Sequence, residues 1–260
     1  MLPRHVKYYN SQADLSRRFL HPGGKWASER LLVMMPGMDE RSRVLEIGCG
    51  LGHTAKMLLG KVPCSFVGVD ASPKMLKSAR ALLAQFGDRV TLHECDLKHT
   101  SLPFQNESVD VVYAESVVAL IDPRKVMKEA NRVLKKNGTV LINDRIWSES
   151  VTIDDRKKFN SIGQSLYGFP FASDDPGTGG EWQKAFAESG FTCVSAERLS
   201  FENIPESDYR LEDLSRWEKL TRGLRKPGIF LQLYRDRKIA TSLAHVWDNM
   251  EPWLFVARKD

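Results

Sequence analysis

Residues 44–52 read Val-Leu-Glu-Ile-Gly-Cys-Gly-Leu-Gly, a short apolar strand that runs directly into a glycine-dense turn. Glycines at alternate positions let the backbone turn sharply and approach a ligand without interference from a Cβ atom. Glu46, near the end of the strand, can hold a cationic group or accept hydrogen bonds. Because open α/β sheets bind ligands at the carboxyl ends of their strands, this stretch predicts a nucleotide-like cofactor at the edge of a parallel sheet.

The spacing of the glycines distinguishes between cofactors. A dinucleotide fingerprint requires a third glycine at the position of His53, whereas the third glycine here is Gly52. A P-loop requires Gly-Lys-Ser/Thr at the start of the helix, but His53 and Thr54 follow Gly52. The pattern Glu-x-Gly-x-Gly-x-Gly instead resembles the glycine motif of class I S-adenosylmethionine-dependent methyltransferases. The glycines alone leave open a tight turn that binds no ligand.

Two further strands are predicted to end at acidic residues. Residues 65–70 form a buried apolar run that ends at Asp70, and an acid about 20 residues after a glycine turn suits hydrogen bonds to ribose hydroxyls. Ser72 and Pro73 predict the start of the next helix. Residues 90–97 predict a third strand, after which Asp96 suits an adenine amino group and Leu97 the face of its ring. Helix capping or a solvated strand end is the alternative for both acids.

The rest of the amino-terminal half extends the same pattern. Residues 108–115 and 139–142 predict a fourth and a fifth strand, and apolar residues at helical spacing predict a helix over 126–134. Asn137-Gly138 predicts a turn before the fifth strand. From Arg43 to Trp147 the sequence resembles the small-molecule "type 11" group of methyltransferases, including its segments at 102–104 and 132–138.

The resemblance implies an α/β fold with a doubly wound, mostly parallel, seven-stranded Rossmann-like sheet. It also implies an N-terminal helical lid and a helical insertion before the last strand. The implied cofactor is S-adenosyl-L-methionine, the product S-adenosyl-L-homocysteine, and the acceptor a small molecule. The residues implied to contact the cofactor are Glu46, Gly48, Cys49, Gly50, Gly52, Asp70, Ala71, Met75, Cys95, Asp96, Leu97, Ala114 and Glu115.

We expect one domain over residues 1–260, with a cofactor-binding core over 41–147. Residues 1–40 are expected to form the lid, with helices from 11 or 12 to 20 and from 25 to 35. Residues 148–180, interpreted as a long loop followed by a helix over 181–189, and residues 205–250, with two helical stripes, are expected to lie on the substrate side. In this arrangement apolar walls for the acceptor come from Tyr167, Phe169, Phe171 and Trp217.

No catalytic residue stands out. Methyl transfer from a sulfonium depends mainly on proximity and orientation, and a base is needed only if the acceptor loses a proton. Many relatives carry a His pair after the fourth strand, whereas residues 117–122 offer no titratable group before Asp122. The weak candidates are therefore Glu115, at the strand end, and Tyr9, His21 and His53. Absence of the His pair favours an alternative, a binding protein that keeps the cofactor without turnover.

Composition limits the remaining classes. The formal net charge of +5 is concentrated in residues 1–30 and 216–238, which we interpret as solvated helix faces. The basic 216–238 tract leaves RNA or protein methylation as a second alternative, although nucleic acid is not the expected partner. The four cysteines form no metal-like or redox pair, and no apolar run is long enough for a membrane span. We expect no metal, a cytoplasmic location, and a monomer or homodimer.

Overall fold

The computed structural model describes residues 3–15, 18–200, 202, 238 and 241–260. Its centre is a seven-stranded sheet in the order β3-β2-β1-β4-β5-β7-β6. The strands are β1 (Arg43–Ile47), β2 (Ser65–Asp70), β3 (Val90–Glu94), β4 (Val109–Glu115), β5 (Leu134–Trp147), β6 (Phe191–Arg198) and β7 (Met250–Lys259). Strand β7 runs antiparallel to both of its neighbours, and the other adjacent strands are parallel. The predicted doubly wound, mostly parallel, Rossmann-like sheet is confirmed.

Helices cover both faces of the sheet. They are α1 (Arg4–Leu15), α2 (Gly24–Val33), α3 (His53–Leu59), α4 (Pro73–Leu83), α5 (Pro123–Val133), α6 (Ile153–Tyr167), α7 (Gly179–Glu188) and α8 (Ala244–Trp247). Side chains alternate across each strand, so Val111 and Tyr113 of β4 join a core with α2, α3 and α4. Val112 and Ala114 face the opposite core, which contains α5 and α7. Two apolar layers therefore hold the strand ends rigidly in place.

Local sequence determines where the central helices begin. The Ser72 hydroxyl accepts a hydrogen bond from the Met75 amide at 3.1 Å, and Pro73 occupies the first turn of α4, as predicted. Helix α5 begins in the same way, because the Asp122 carboxylate accepts from the Arg124 amide at 3.0 Å and Pro123 follows it. Both helices return the chain to the sheet, and both begin at the edge where the strands β2 and β4 end.

The first helix starts earlier than expected from the sequence. Helix α1 begins at Arg4 and ends at Leu15, so Tyr8 and Tyr9 lie within the helix and do not precede it. The sequence reading placed the helix too late because its buried face is small and includes the polar residue Gln12. This position brings the tyrosines over the carboxyl end of the sheet.

The segment 148–180 is not a long loop, because it contains the 15-residue helix α6. Thr152 caps this helix by accepting from the Asp155 amide at 3.2 Å, and Gly168, with φ of 85°, ends it. Strand β5 likewise begins before the expected turn at Asn137-Gly138. Asn137 has φ of 63° and lies where the register between β4 and β5 shifts, so the expected turn is an irregularity within the strand.

Most of the predicted accessory segment 205–250 lies outside the described residues, including Trp217 and most of the basic tract 216–238. Its described end is the short helix α8, whose Trp247 packs edge-to-face on Phe171 with ring centroids 5.1 Å apart. Over the described ranges, no helix is both long and apolar enough to cross a membrane.

Candidate functional site

Two adjoining cavities lie where β1, β2 and β4 end. The larger, of about 860 Å³ including its open mouth, is bounded by the turn after β1 and by α1. The smaller, of about 420 Å³, lies on the other side of the same turn. Gly48, Gly50 and Glu115 line both. The predicted cofactor contacts that line only the larger cavity are Asp70, Ala71, Met75, Cys95, Asp96 and Leu97. Those that line only the smaller are Glu46 and Cys49.

The three glycines of the turn have positive φ angles but different surroundings. A Cβ atom on Gly50, with φ of 50°, would meet nothing within 4 Å, so this backbone faces open space. A Cβ atom on Gly52 would lie 3.1 Å from Leu83 and 3.3 Å from Ala79, so Gly52 packs against α4. Neither Gly52 nor Ala114, which is buried within β4, lines either cavity. The turn therefore offers Gly50 to a ligand and uses Gly52 for packing.

Asp70 is held rigidly beside this turn. Its carboxylate accepts from the Gly50 amide at 2.9 Å and from the Ser72 amide at 2.8 Å. Burial raises the pKa of Asp70 to about 6, although both backbone hydrogen bonds oppose the shift. Because a carboxylate can accept about four hydrogen bonds, two acceptor positions remain for a ligand diol.

Asp96 lies at the other end of the larger cavity, between two histidines. The His5 Nε2 atom lies 3.2 Å and the His99 Nδ1 atom 2.8 Å from its Oδ2 atom. Burial alone would raise the pKa of Asp96, but the hydrogen bond from His99 and the proximity of His5 hold it below the ordinary value. Leu97, which is buried, adds an apolar wall beside this carboxylate. The Asp96 carboxylate beside the Leu97 side chain suits a flat ring that carries a hydrogen-bond donor at its edge.

Glu115, at the end of β4, is the centre of a buried polar network. Its carboxylate accepts from Ser28 Oγ at 3.0 Å, Thr54 Oγ1 at 2.8 Å and Asn143 Nδ2 at 3.2 Å. His21 Nε2 lies 3.3 Å from the same carboxylate. Four segments of the chain thus converge on one acid, and no sequence pattern connects Ser28 or Asn143 with it.

Glu46 adds a second buried acid to the smaller cavity. The Tyr113 hydroxyl donates to it at 2.8 Å. Burial, with the nearby Glu115, raises the pKa of Glu46 well above its ordinary value. Two carboxylates on one cavity repel each other and are stabilised by a cation between them. A ligand with an ammonium group fits this cavity.

Helix α1 covers the larger cavity. Besides the His5 contact with Asp96, Asn10 accepts from the Ser72 hydroxyl at 2.7 Å, and Lys74 pairs with Asp14 at 2.7 Å. Tyr9 lines the cavity, and its ring stacks on that of Phe169 at 5.6 Å between centroids. The helix is therefore held both on α4 and on the segment after α6.

The structure separates the four weak catalytic candidates. Both ring nitrogens of His21 are engaged, because Nε2 contacts Ser28 and Glu115 while Asn143 lies 3.2 Å from Nδ1. Burial raises the pKa of Tyr9, so its phenol stays protonated. Burial lowers the pKa of His53 to about 4, and this ring lines only the smaller cavity.

Residues 117–121, which follow β4, provide no side chain that could act as a general base. Val117, Leu120 and Ile121 line the larger cavity with apolar side chains, and Val117 lies 3.1 Å from the position that a Cβ atom of Gly48 would take. The Ala119 amide donates to Asp144 at 3.0 Å, which fixes the stretch to β5. Among the described residues, no group of His, Cys, Asp and Glu side chains could hold a metal ion.

An open sheet with a glycine turn, a buried acid at the end of β2 and a cavity at its carboxyl edge is the arrangement by which Rossmann-like proteins bind nucleotide cofactors. Comparison with known proteins makes the class specific. The family described as "Methyltransferase domain" matches residues 45–142. An uncharacterised protein of Haemophilus influenzae is 31% identical over 193 residues, which cover 72% of each chain.

The uncharacterised methyltransferase YodH of Bacillus subtilis is 29% identical over 194 residues, covering 72% of this chain and 78% of YodH. A solved structure of geranyl diphosphate methyltransferase in complex with SAM has a TM-score of 0.65 at 18% identity, and the match covers 91% of this chain and 86% of that one. That likeness concerns the fold. The chain belongs to the class I S-adenosylmethionine-dependent methyltransferases of the type 11 group, and its cofactor is S-adenosylmethionine.

Proposed function

We propose that this methyltransferase transfers a methyl group to a small organic acceptor and that it accelerates the reaction mainly by positioning. The observation that carries the proposal is the larger cavity beneath α1, which adjoins the smaller one and is lined by apolar side chains on the side of Tyr9 and Phe169. A cavity of several hundred Å³ suits a cofactor with a compact partner. A macromolecular acceptor would need a more open surface.

In this proposal the cofactor extends across both cavities. Asp70 would hold the ribose, and Asp96 and Leu97 the adenine, in the larger cavity. Glu46 and Glu115 would hold the ammonium group of the methionine part in the smaller cavity. Gly48 and Gly50 line both cavities, so the cofactor would pass over them. S-adenosylmethionine supplies an activated methyl group on a sulfonium, so the protein need not activate the donor.

The protein's own residues then orient and enclose the reactants. Ser28, Thr54 and Asn143 hold the Glu115 carboxylate in one position, and His21 fills its remaining side. Tyr9 and Phe169 keep water away from the larger cavity. None of the candidate side chains has a free lone pair placed to take a proton from the acceptor. We therefore assign the rate acceleration to proximity and orientation.

The test combines binding with turnover. Calorimetry should show one S-adenosylhomocysteine site per chain, and incubation with S-adenosylmethionine and a fractionated pool of small metabolites should release S-adenosylhomocysteine. Binding without release from any fraction would favour the non-catalytic alternative. Release only with RNA or protein fractions, lost steeply with added salt, would favour the macromolecular alternative. The apolar stretch after β4 is what the non-catalytic alternative rests on, whereas most of the basic tract 216–238, on which the macromolecular alternative rests, lies outside the described residues.

A further inference from the structure

Arg145 is a cation for which the described part of the chain supplies neither an ion pair nor a hydrogen-bond acceptor, although the charge of the adjacent Asp144 acts on it. It lies near the end of β5, partly buried. Its guanidinium stacks over the Trp247 ring, with Cζ 5.0 Å from the ring centroid, and no described residue gives it an ion pair or accepts a hydrogen bond from it. The adjacent Asp144 uses its carboxylate for the amides of Ala119, at 3.0 Å, and of Arg145 itself, at 2.8 Å.

Arg156 shows how this protein satisfies another buried guanidinium. It donates to the carbonyl oxygens of Val151 and Asp174, at 3.2 and 3.0 Å, and to the Glu181 carboxylate at 2.9 Å. Burial lowers the pKa of Arg145, but a guanidinium begins so high that it stays charged. A charged fork removed from water and left without an acceptor is costly, and an anion with two oxygens relieves that cost.

The strand carries Arg145 beyond the cofactor site. Asn143 pairs with Glu115 in the register between β5 and β4, and β4 ends there. At about 3.3 Å per residue, Arg145 lies roughly 6.6 Å further along β5, and alternation places it on the same face as Asn143. Arg145 therefore leaves the sheet beyond the end of β4, and its guanidinium lies against Trp247.

Aromatic rings connect Arg145 with the larger cavity. Trp247 packs on Phe171 with ring centroids 5.1 Å apart, and Phe171 packs on Tyr167 at 6.2 Å. Tyr167 stacks on Phe169 at 5.6 Å, and Phe169 lines the cavity beside Tyr9. A continuous apolar wall thus runs from the larger cavity to the Arg145 guanidinium.

We propose that Arg145 binds a carboxylate of the methyl acceptor, so that the acceptor is a compact organic acid whose apolar body lies along Phe171 and Trp247. This inference rests on the proposed small-molecule function. A carboxylate fits better than a phosphate ester, because Asp144 already places negative charge nearby and Arg145 supplies a single positive charge. The fork of the guanidinium also matches the two oxygens of a carboxylate.

The test measures binding of matched acids and amides to the protein saturated with S-adenosylhomocysteine. The probes are benzoate, phenylacetate, indole-3-acetate and octanoate, each with its primary amide, and phenyl phosphate. Calorimetry or saturation-transfer NMR should show at least one carboxylate binding about tenfold or more tightly than its amide, since a charge-assisted pair is lost in the amide. Arg145→Gln should abolish this preference, and Arg145→Lys should retain part of it.

Arg41→Gln, at a side chain that is 87% exposed, is the matched control and should keep the wild-type preference. Equal binding of acids and amides to the wild type, binding of no carboxylate at all, tighter binding of phenyl phosphate, or an unchanged preference in Arg145→Gln would each overturn the proposal. The wild-type comparison decides the question even if a variant fails to fold. Failure of the wild type to bind S-adenosylhomocysteine would contradict the assigned cofactor site, whereas normal binding without an acid preference contradicts only the role of Arg145.

Discussion

His21 Nε2 lies 3.3 Å from Glu115 Oε2, which joins the loop between the first two helices to the end of the fourth strand in a buried contact. Both ring nitrogens take part, because Nε2 lies against Ser28 and Glu115 while Nδ1 lies against the Asn143 amide and the Pro22 carbonyl oxygen. His21 therefore acts on the site through Glu115, as a residue that positions this carboxylate.

His21→Ala should destabilise the protein by about 1–3 kcal/mol and weaken S-adenosylhomocysteine binding, because it leaves buried partners unsatisfied. Denaturant unfolding and calorimetry measure the two effects. His245→Ala, at an exposed histidine of α8, is the control and should change neither. Cofactor affinity equal to the wild type in a folded His21→Ala protein would show that Glu115 does not need this contact.

Cofactor affinity should depend on the ionisation of Asp70. Its pKa of about 6 in the free protein means that the carboxylate is mostly ionised at pH 7 and mostly protonated at pH 5. If the ionised form binds the ribose, affinity is nearly complete above about pH 7 and falls by about tenfold as the pH drops from 7 to 5. Calorimetry across this range measures the slope.

The matched variant for that experiment is Asp70→Asn, which cannot titrate. It should bind the cofactor more weakly than the wild type by roughly 1.5–3 kcal/mol at pH 7.5 and show no dependence on pH in this window. A slope shared by the variant and the wild type would assign the titration to another group, such as Glu46.

Gly50 and Gly52 should respond differently to the same substitution. Gly50→Ala places a methyl group in open space, so it should cost only the left-handed backbone strain, about 1–2 kcal/mol, while weakening cofactor binding at least tenfold. Gly52→Ala meets Leu83 and Ala79 and should lower the free energy of unfolding more. Unfolding curves and cofactor titrations of both variants provide the comparison, and the prediction fails if Gly50→Ala binds normally.

Tyr9 should contribute through its ring. Because burial raises the pKa of its phenol, Tyr9→Phe should retain turnover within about threefold, whereas Tyr9→Ala should lose the stacking on Phe169 and reduce turnover more than tenfold. Initial rates with an acceptor fraction that supports S-adenosylhomocysteine release measure this. A large loss in Tyr9→Phe alone would instead indicate that the hydroxyl takes part in catalysis.

Helix α1 should behave as a cover that closes on the cofactor. Its contacts to Asp96, Ser72 and Lys74 are polar and partly exposed, so they can break and re-form. Hydrogen exchange should show greater protection of residues 4–15 and 165–171 when S-adenosylhomocysteine is present. Protection confined to residues 46–97 would make α1 a fixed part of the scaffold.

The sequence predicted the cofactor half of the molecule well because its signals are local. The glycine turn, Asp70 and the cap at Ser72 follow from neighbouring residues, and apolar runs located β1, β2 and β4. The placement of Asp96 at a cavity wall also follows from its position after a strand.

The remaining features depend on tertiary contacts or on weak patterns. His21 and Asn143 meet Glu115 only after folding, so no spacing could reveal the network. Thr152 and Gly168 mark the ends of α6, but the glycines and prolines of the adjacent segments predict a loop there instead of a helix. The turn expected at Asn137 was wrong for a related reason, since a positive φ angle is also compatible with an irregular strand.

The extension of β5 past the end of β4 has a consequence for redesign. It separates the proposed donor-binding residues, which follow the first four strands, from the residues beyond Asn143 on the fifth. A library that randomises Arg145 alone should therefore change which compounds are modified while the core residue Phe171 and the side chains that line the two cavities stay unchanged. Selectivity in this scaffold would then be adjustable at a single overhanging strand end.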